Sequence, residues 1–355
     1  MGRAESLNSN FYHLLEEILI QILVRLLVKS LLRFRSVCQH WYSLIGDSAF
    51  IQVHLKTSSQ NSYIILRNYQ SQAKYLYSIR YDDESFREYF EPQLPSHILQ
   101  QSLSLHGSCN GLICLSNVRG TICLWNPALR KLKTLPKSLI INSTSKLDLY
   151  NRSTTHVAFG FHPGVNDYKV VRIISYKNGY LTEVYSLSTD SWRRIDVAPS
   201  CFFVCWKPAI VNGAAYWVVK KTEEGSCYLL VRFEMGDEVF EEVMLPDGAR
   251  GCHQYNIAVL GETLYLFGKC RFNRWCELWT MECGKTDSWT KRFTVDVGVE
   301  PRRVLCLRKS GDLLVADHES NQLLTYNIET QRDKDLGIHG CSLCAYSYVE
   351  SLIQL

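Results

Sequence analysis

The sequence predicts a small all-α module followed by an all-β domain, which we interpret as a β-propeller of about six blades. The first observation is a leucine-rich block, His13 to Trp41, whose apolar residues recur at helical spacing. The second is a change after Leu55, where runs of about five to eight Val-, Ile- and aromatic-rich residues alternate with Gly, Asn, Asp and Ser turns. The third is that this pattern repeats about every 45 to 60 residues, the period expected of propeller blades.

The helical block divides into three apolar groups, which predict three short helices. The groups are Leu14 to Leu26, Val28 to Phe34, and Trp41 to Ile45. Helices of this size bury only a small core, so much of their apolar surface needs a partner. A membrane span is excluded, because the block is interrupted by Glu16, Glu17, Gln21, Arg25, Lys29, Arg33 and Arg35.

The all-β domain is clearest between Ala209 and Pro246, which reads as four strands. Asn212-Gly213 supplies the first turn and Gly236 lies in the third, since these residue types adopt the positive φ that tight hairpins need. The corresponding third turns fall near Pro127, Thr189, Gly236, Lys285 and Glu329. One four-stranded unit cannot bury both of its faces, so the units are expected to stack radially.

The first and last strands of this domain predict how the ring closes. Ser62 to Glu91 supplies only three strands, whereas Cys341 to Val349 is a strand left over after the last repeat. Pairing the two would complete one blade and remove the exposed sheet edges. A two-sheet sandwich is the alternative that the strand pattern leaves open.

The helical block resembles an F-box, through "LLEEILIQIL", "RLLVKSLLRFRSVC" and "QHWYSLI". Downstream, "GSCNGLICL", "LWNPALRKLKTLP", "AFGFHPGVNDYKVVRI" and "EVYSLSTDSWRRI" resemble the kelch-like F-box-associated domain of plant F-box proteins, a group that includes the S-locus F-box proteins. The resemblance implies a disordered N-terminus over residues 1–10, an F-box module over 11–55 and a substrate-recognition domain over 56–355. Two positions depart from the family pattern, which has proline where this chain has Leu15 and Leu27.

The resemblance implies a substrate-recognition adaptor of a cullin-RING, SCF-type ubiquitin ligase, with no catalytic activity of its own. The F-box would dock onto a Skp-type adaptor, and through it a cullin, while the β domain would bind one or more unknown protein targets. The residues expected to bind the adaptor are Leu14, Ile18, Leu23, Val28, Leu31, Leu32, Val37 and Trp41.

The missing prolines keep a second function open, a ligase-independent interaction scaffold with a degenerate F-box. Proline at a helix start fixes φ and marks where the preceding helix must stop. Leucine is a strong helix former, so the boundary before Leu27 is weakly specified, and one unbroken helix from Leu14 to Cys38 is the structural alternative.

Target recognition is expected at one end of the β domain. In each unit the first and third turns lie at one end of the strands, so the second turns and the connections between units share the other. The longer segments fall at that other end, and loops on a rigid scaffold commonly carry recognition. The candidate residues there are Lys137, Tyr150, Phe202, Lys221, Phe272 and Trp275.

Composition and motifs argue against other functions. A net charge of +4 gives no reason to expect nucleic acid or a membrane surface as a partner. We expect the 14 cysteines to be reduced thiols in the cytoplasm or nucleus, since no secretory signal is recognisable. His339, Cys341 and Cys344 lack a fourth zinc ligand, and no catalytic motif appears, so no metal or cofactor is expected. A copper radical oxidase built on a propeller is the competing enzyme class, and the ten scattered histidines argue against it.

Overall fold

The computed structural model describes most of the chain. The described residues are 16–70, 74–95, 98, 103–117, 120–140, 154–176, 179–196, 201–204, 207–221, 227–270, 275–283, 288–296, 302–317 and 320–355. The predicted disorder of residues 1–10 lies outside this set.

Four helices open the described part of the chain. They are α1, described over residues 16–23, α2 (Val28–Phe34), α3 (Gln39–Gly46) and α4 (Ser48–Ser58). Turn residues separate α1 from α2, so the alternative of one unbroken helix is wrong. The helix α4 was not predicted. It begins where the Asp47 carboxylate accepts the backbone N–H groups of Ala49 (2.8 Å) and Phe50 (3.2 Å), the usual role of an N-cap aspartate.

The strands follow in chain order. The first three are β1 (Tyr63–Gln70), β2 (Lys74–Tyr81) and β3 (Glu88–Phe90). Blade 2 comprises β4 (Ser104–Cys109), β5 (Leu112–Ser116), β6 (Ile122–Asn126) and β7 (Lys131–Thr134). Blade 3 comprises β8 (Thr154–His162), β9 (Asp167–Tyr176), β10 (Gly179–Ser186) and β11 (Ser191–Ile195).

Blade 4 has a divided inner strand, formed by β12 (Phe202–Phe203) and β13 (Ala209–Val211), and continues with β14 (Ala214–Lys221), β15 (Cys227–Glu234) and β16 (Val239–Met244). Blade 5 comprises β17 (Cys252–Leu260), β18 (Thr263–Cys270), β19 (Trp275–Glu282) and β20 (Trp289–Asp296). Blade 6 comprises β21 (Arg302–Leu307), β22 (Leu313–Asp317), β23 (Gln322–Asn327) and β24 (Arg332–His339), and β25 (Cys341–Tyr348) is the last strand.

The sheets form a six-bladed propeller, as predicted, and the sandwich alternative is wrong. Each blade is antiparallel, and β25 pairs with β1 to complete blade 1, with Tyr63 opposite Tyr348 and Ile65 opposite Tyr346. The inner strand β25 packs beside β4 of blade 2 and β21 of blade 6. Blade 1, built from the first three strands and the last strand, therefore closes the ring between blades 2 and 6. Closure by the C-terminal strand is therefore confirmed.

Local sequence explains the tight turns and the core of the propeller. Between β13 and β14 the turn residues Asn212 and Gly213 have φ of 49° and 76°, the left-handed conformation expected of this dipeptide. The large aromatic residues Trp125, Trp192 and Trp217 are buried between blades.

One side chain crosses the interior of the ring from the break between β12 and β13. The Lys207 ammonium donates to the carbonyl oxygen of Leu305 on β21 and to that of Ala345 on β25, the latter at 2.7 Å. It also lies 3.7 Å from the centre of the Tyr346 ring, a cation–π contact. Burial disfavours the charged form and lowers the pKa of Lys207. Blade 4 is thus tied to blades 6 and 1 across the ring.

The helical module packs on the end of the propeller that carries the first and third turns. Its core consists of Leu23, Val24, Val28, Leu31, Ile45 and Phe50, joined by Leu352 from the C-terminal segment. Ala128 and Leu129, in the turn between β6 and β7, pack against this core. The module and the propeller therefore share one apolar interface.

Candidate protein-binding surfaces

The outward face of α1 carries two isoleucines that are about half exposed. Ile18 is 48% exposed and Ile22 is 55% exposed, whereas Leu23 and Val24 on the other side of the helix are buried. Residues four apart lie on the same helix face, so the two isoleucines form one apolar patch. An exposed patch of this kind is typical of a surface that binds another protein.

A second exposed apolar group lies at the start of α3. Val37 is 62% exposed and Tyr42 is 57% exposed, and the Arg35 guanidinium lies 4.5 Å from the centre of the Tyr42 ring. Trp41 is partly buried and packs edge-on against Phe34, with ring centres 5.2 Å apart. The region therefore combines aromatic side chains with an arginine, residue types that are enriched at protein interfaces.

The predicted adaptor-binding residues do not all reach the surface. Ile18 and Val37 are exposed, Leu32 and Trp41 are partly buried, and Leu14 lies outside the described residues. Leu23, Val28 and Leu31 are interior residues of the module in the free chain, and their contact with a partner stays a prediction. Their physical role is to support the outer face.

The corner between α1 and α2 shows what replaces one of the missing prolines. Leu27 is the N-cap residue of α2 with φ of −61° and ψ of 147°, and its carbonyl oxygen accepts the N–H groups of Ser30 (2.9 Å) and Leu31 (3.1 Å). Proline would fix φ near this value, at about −65°. Leu27 therefore holds a backbone conformation that proline would also adopt, while Leu15 lies outside the described residues.

The predicted target-binding end is the end of the propeller opposite the helical module. The connections β7–β8 and β11–β12 and the turns β14–β15 and β18–β19 all leave the strands there. Lys137 is exposed, and Lys221 at the end of β14 forms an ion pair with Glu242 at 2.6 Å. Phe202 lies in β12 and Trp275 begins β19.

Two further predicted residues, Tyr150 and Phe272, lie outside the described residues. The strand ends therefore bring the remaining four candidates to one end of the propeller, without establishing contacts among them.

The β7–β8 connection is anchored by a buried ion pair that the sequence did not reveal. Arg172 Nη2 lies 2.5 Å from Glu183 Oε1, and neither side chain is appreciably exposed. Glu183 Oε2 accepts the Ser138 hydroxyl (3.1 Å) and the backbone N–H groups of Leu139 (3.1 Å) and Ile140 (3.4 Å). Burial lowers the pKa of Arg172, and the neighbouring Glu183 carboxylate opposes that shift. The first residues of the connection are thus fixed to blade 3.

The described residues contain neither a metal-binding cluster nor a membrane-spanning helix. Within those ranges, no group of three or more His, Cys, Asp or Glu side chains is arranged to hold a metal ion. Among the same residues, no helix has the length and apolar character needed to cross a membrane.

Comparison with known proteins agrees with this architecture. The model of the F-box associated beta propeller domain matches residues 70–355, and an F-box-like model matches residues 14–55. F-box protein CPR1 of Arabidopsis thaliana is 28% identical, over 95% of this chain and 88% of that protein. F-box/kelch-repeat protein At3g23880 of Arabidopsis thaliana is 26% identical, over 79% of this chain and 78% of its own length.

Among solved structures, TolB from Acinetobacter baumannii aligns with a TM-score of 0.50 at 10% identity, over 85% of this chain and 73% of that one, which shows a shared fold alone. With the two family matches and the geometry taken together, this chain belongs to the F-box associated β-propeller family and carries an F-box-like module before its propeller.

Proposed function

We propose that the protein is the substrate-recognition subunit of an SCF-type ubiquitin ligase. Its F-box-like module docks onto a Skp-type adaptor and through it a cullin, while its propeller binds a target protein for ubiquitination. The observation that carries this proposal is the apolar outer face of α1, with Ile18 and Ile22 exposed while the inner face is buried against the chain's own core. The chain contributes binding surfaces, and other subunits would supply the catalysis.

The placement of the two surfaces supports the same function. The module packs against blade 2 at the end of the propeller with the first and third turns, whereas Lys137 and Lys221 lie at the opposite end, where a target would bind. Because the two proposed binding surfaces lie far apart, a bound adaptor and a bound target would not clash with each other.

The energetic argument for docking rests on the exposed isoleucines. Removing a fully exposed isoleucine side chain from water contributes about 1.5–3 kcal/mol, and roughly half of that remains available at Ile18 and Ile22. A carboxylate placed at such a position would be buried without a partner, which costs about 3–5 kcal/mol when a buried charge is left unpaired.

The test is titration calorimetry of the full chain against a Skp-type adaptor, comparing wild type with Ile22→Asp. We expect Ile22→Asp to weaken binding by at least about a hundredfold, the equivalent of roughly 2.7 kcal/mol. Val239→Asp is the matched control, because Val239 is a comparably exposed apolar residue, 45% exposed, on the outer strand β16. Undiminished binding by Ile22→Asp would contradict the docking assignment.

The choice of variant follows from burial. Leu31 has 0% exposure, so Leu31→Asp would unfold the module and could not separate docking from folding. Ile22→Asp changes a side chain that is 55% exposed, so the module should stay folded and circular dichroism should show unchanged helicity.

The second function, a ligase-independent scaffold, is the outcome if wild type fails to bind any Skp-type adaptor. The proline-compatible φ of Leu27 favours docking over that alternative, because the helix break is present despite the substitution. We also propose that the protein acts in the cytoplasm or nucleus, which is consistent with the free thiols among its described cysteines.

A further inference from the structure

The interior of the ring receives positive charge from two blades along one edge of the inner strand β25. Lys207, at the break in blade 4, donates to the carbonyl oxygens of Leu305 and Ala345, the latter at 2.7 Å. Arg303, the second residue of β21, donates through Nη2 to the carbonyl oxygen of Leu343. Residues two apart in a strand turn their carbonyls to the same edge, and a rise of about 3.4 Å per residue places the two accepting oxygens of β25 about 7 Å apart. The two cationic groups are therefore neighbours.

A third cation lies beside the same strand. Arg67 of β1 donates through Nη2 to the carbonyl oxygen of Ser342 at 3.2 Å, and its guanidinium lies 4.6 Å from the centre of the Tyr75 ring. The side chain is only 9% exposed, and its Nε has no hydrogen-bond partner among the described residues. The Nε of Arg303 is likewise buried and without a partner there. Each of the two guanidinium groups thus keeps a donor that the described chain does not satisfy.

The charge of this cluster is not neutralised by the protein. Within the ranges that the structure describes, no carboxylate forms an ion pair with any of the three cations, and the buried carboxylate of Asp82 is bound by Arg308 at 2.9 Å. The carbonyl oxygens accept hydrogen bonds but bring no negative charge. Burial is the main cause of the lowered pKa of Lys207, and the positive charge of Arg303 adds to it, so these two groups repel each other. Buried charges without a counter-charge are unfavourable, and an anion bound between them would remove that cost.

The cluster is accessible and suits an anion of the size of phosphate. Lys207 and Arg303 are partly exposed although they lie inside the ring, as expected of side chains that line the central channel of a propeller. A phosphate group is close to doubly charged at neutral pH, and its oxygens accept charge-assisted hydrogen bonds of about 2.7–2.9 Å from ammonium and guanidinium groups. Through different oxygens, one phosphate can contact two cations whose anchoring carbonyls are about 7 Å apart.

We infer that the interior of the ring is a binding site for a small oxyanion of the phosphate type, held between Lys207 and Arg303 with Arg67 beside it. The alternative is that the three cations only satisfy the carbonyl oxygens of β25. Neutral donors would satisfy those oxygens equally well, so the gathering of like charges favours the anion site. Arg303 lies next to the start of β21, which places the site nearer to the end of the propeller opposite the helical module. The inference does not depend on the proposed function.

The test is titration calorimetry of the full chain with inorganic phosphate, at an ionic strength kept constant with chloride. We expect saturable binding with a dissociation constant below about 1 mM, and competition by sulfate, which has a similar size and charge. Lys207→Gln and Arg303→Gln should each weaken phosphate binding by about tenfold or more, the equivalent of roughly 1.4 kcal/mol. Arg303→Lys keeps the charge and should retain most of the affinity. Arg194→Gln, which removes an exposed arginine on the outer strand β11, is the matched control and should change nothing.

Urea titration with and without phosphate gives a second measurement, because a ligand that binds only the folded state stabilises it. Phosphate also stabilises proteins in general through its exclusion from their surfaces, so the specific part is the difference between wild type and Arg303→Gln. If Lys207→Gln does not fold, the comparison of Arg303→Gln with Arg303→Lys still decides the question. The inference would be overturned by the lack of saturable binding below about 10 mM phosphate, or by equal binding in wild type and the glutamine variants.

Discussion

Removing the Glu183 carboxylate should destabilise the propeller by an amount that the buried ion pair predicts. In Glu183→Ala the guanidinium of Arg172, 1% exposed, would remain in the interior without its partner. The Leu139 N–H would lose Glu183 Oε2 as its acceptor, and the Ser138 hydroxyl would lose its bond to the same oxygen, whereas the Ile140 N–H would keep Ser138 Oγ at 3.1 Å. Breaking a buried pair costs about 3–5 kcal/mol, and leaving a buried donor unsatisfied costs about 1–3 kcal/mol.

We therefore expect the free energy of unfolding to fall by at least about 3–5 kcal/mol, a large part of the roughly 5–15 kcal/mol typical of a folded domain. Urea titration followed by tryptophan fluorescence measures this change, since the chain contains 8 tryptophans. Amide exchange at Leu139 should also accelerate, because its N–H loses the Glu183 carboxylate as acceptor.

A double variant checks the reasoning. Arg172→Met combined with Glu183→Leu removes both charges and keeps the space filled, so it should be less destabilising than Glu183→Ala. Glu241→Gln is the matched single-site control, because that carboxylate is largely exposed in its pair with Arg232 and surface pairs contribute about 0–1 kcal/mol. A loss below about 1 kcal/mol in Glu183→Ala would refute the assignment of Glu183 as the acceptor that stabilises this region.

Two other predictions concern pH and target choice. Burial lowers the pKa of His106 and of His156 to about 4. Between pH 6.5 and 4 the unfolded chain therefore binds protons that the folded chain does not. As the pH is lowered through this range, each histidine should reduce the free energy of unfolding by up to about 1.4 kcal/mol per pH unit. Urea titrations at pH 7 and 5 should show a smaller loss for His106→Asn than for wild type or for the exposed-site control His40→Asn. Exchanging segments 222–226 and 271–274 with those of a relative should change which targets co-purify with the protein and leave adaptor affinity unchanged. If exchanging the turns on the module side changed the co-purified targets instead, the prediction would be wrong.

The ring could be predicted from the sequence because its evidence is local and repeated. Turn residues such as Asn212-Gly213 mark the hairpins. The first blade lacked a fourth strand in the sequence, and β25, the one strand in excess after the last repeat, supplies it. The helix α4 was missed because its buried residues Phe50 and Leu55 face different clusters, one in the module and one between blades 2 and 3. Neither cluster alone produces a clear helical pattern.

The proposed docking surface was only partly predictable for a related reason. Periodicity shows which residues of α1 are apolar, but both Ile22 and Leu23 satisfy it, and only the packing decides which of them faces inward. That packing includes Leu352, a residue at the other end of the sequence. The Arg172–Glu183 pair was likewise invisible, because its partners meet only when β9 and β10 are side by side, with Arg172 opposite Glu183.

The lysine that crosses the ring limits how the propeller can hold a target. Lys207 reaches from the broken inner strand of blade 4 to the carbonyl oxygens of Leu305 and Ala345, so its side chain lies across the axial tunnel that propellers enclose. An extended peptide passing along that axis would have to displace a cation already bonded to two backbone oxygens and stacked on Tyr346. For a target bound as proposed, we therefore expect contacts across the rim of the blades, over a broad and shallow area, and no insertion of the target into the centre.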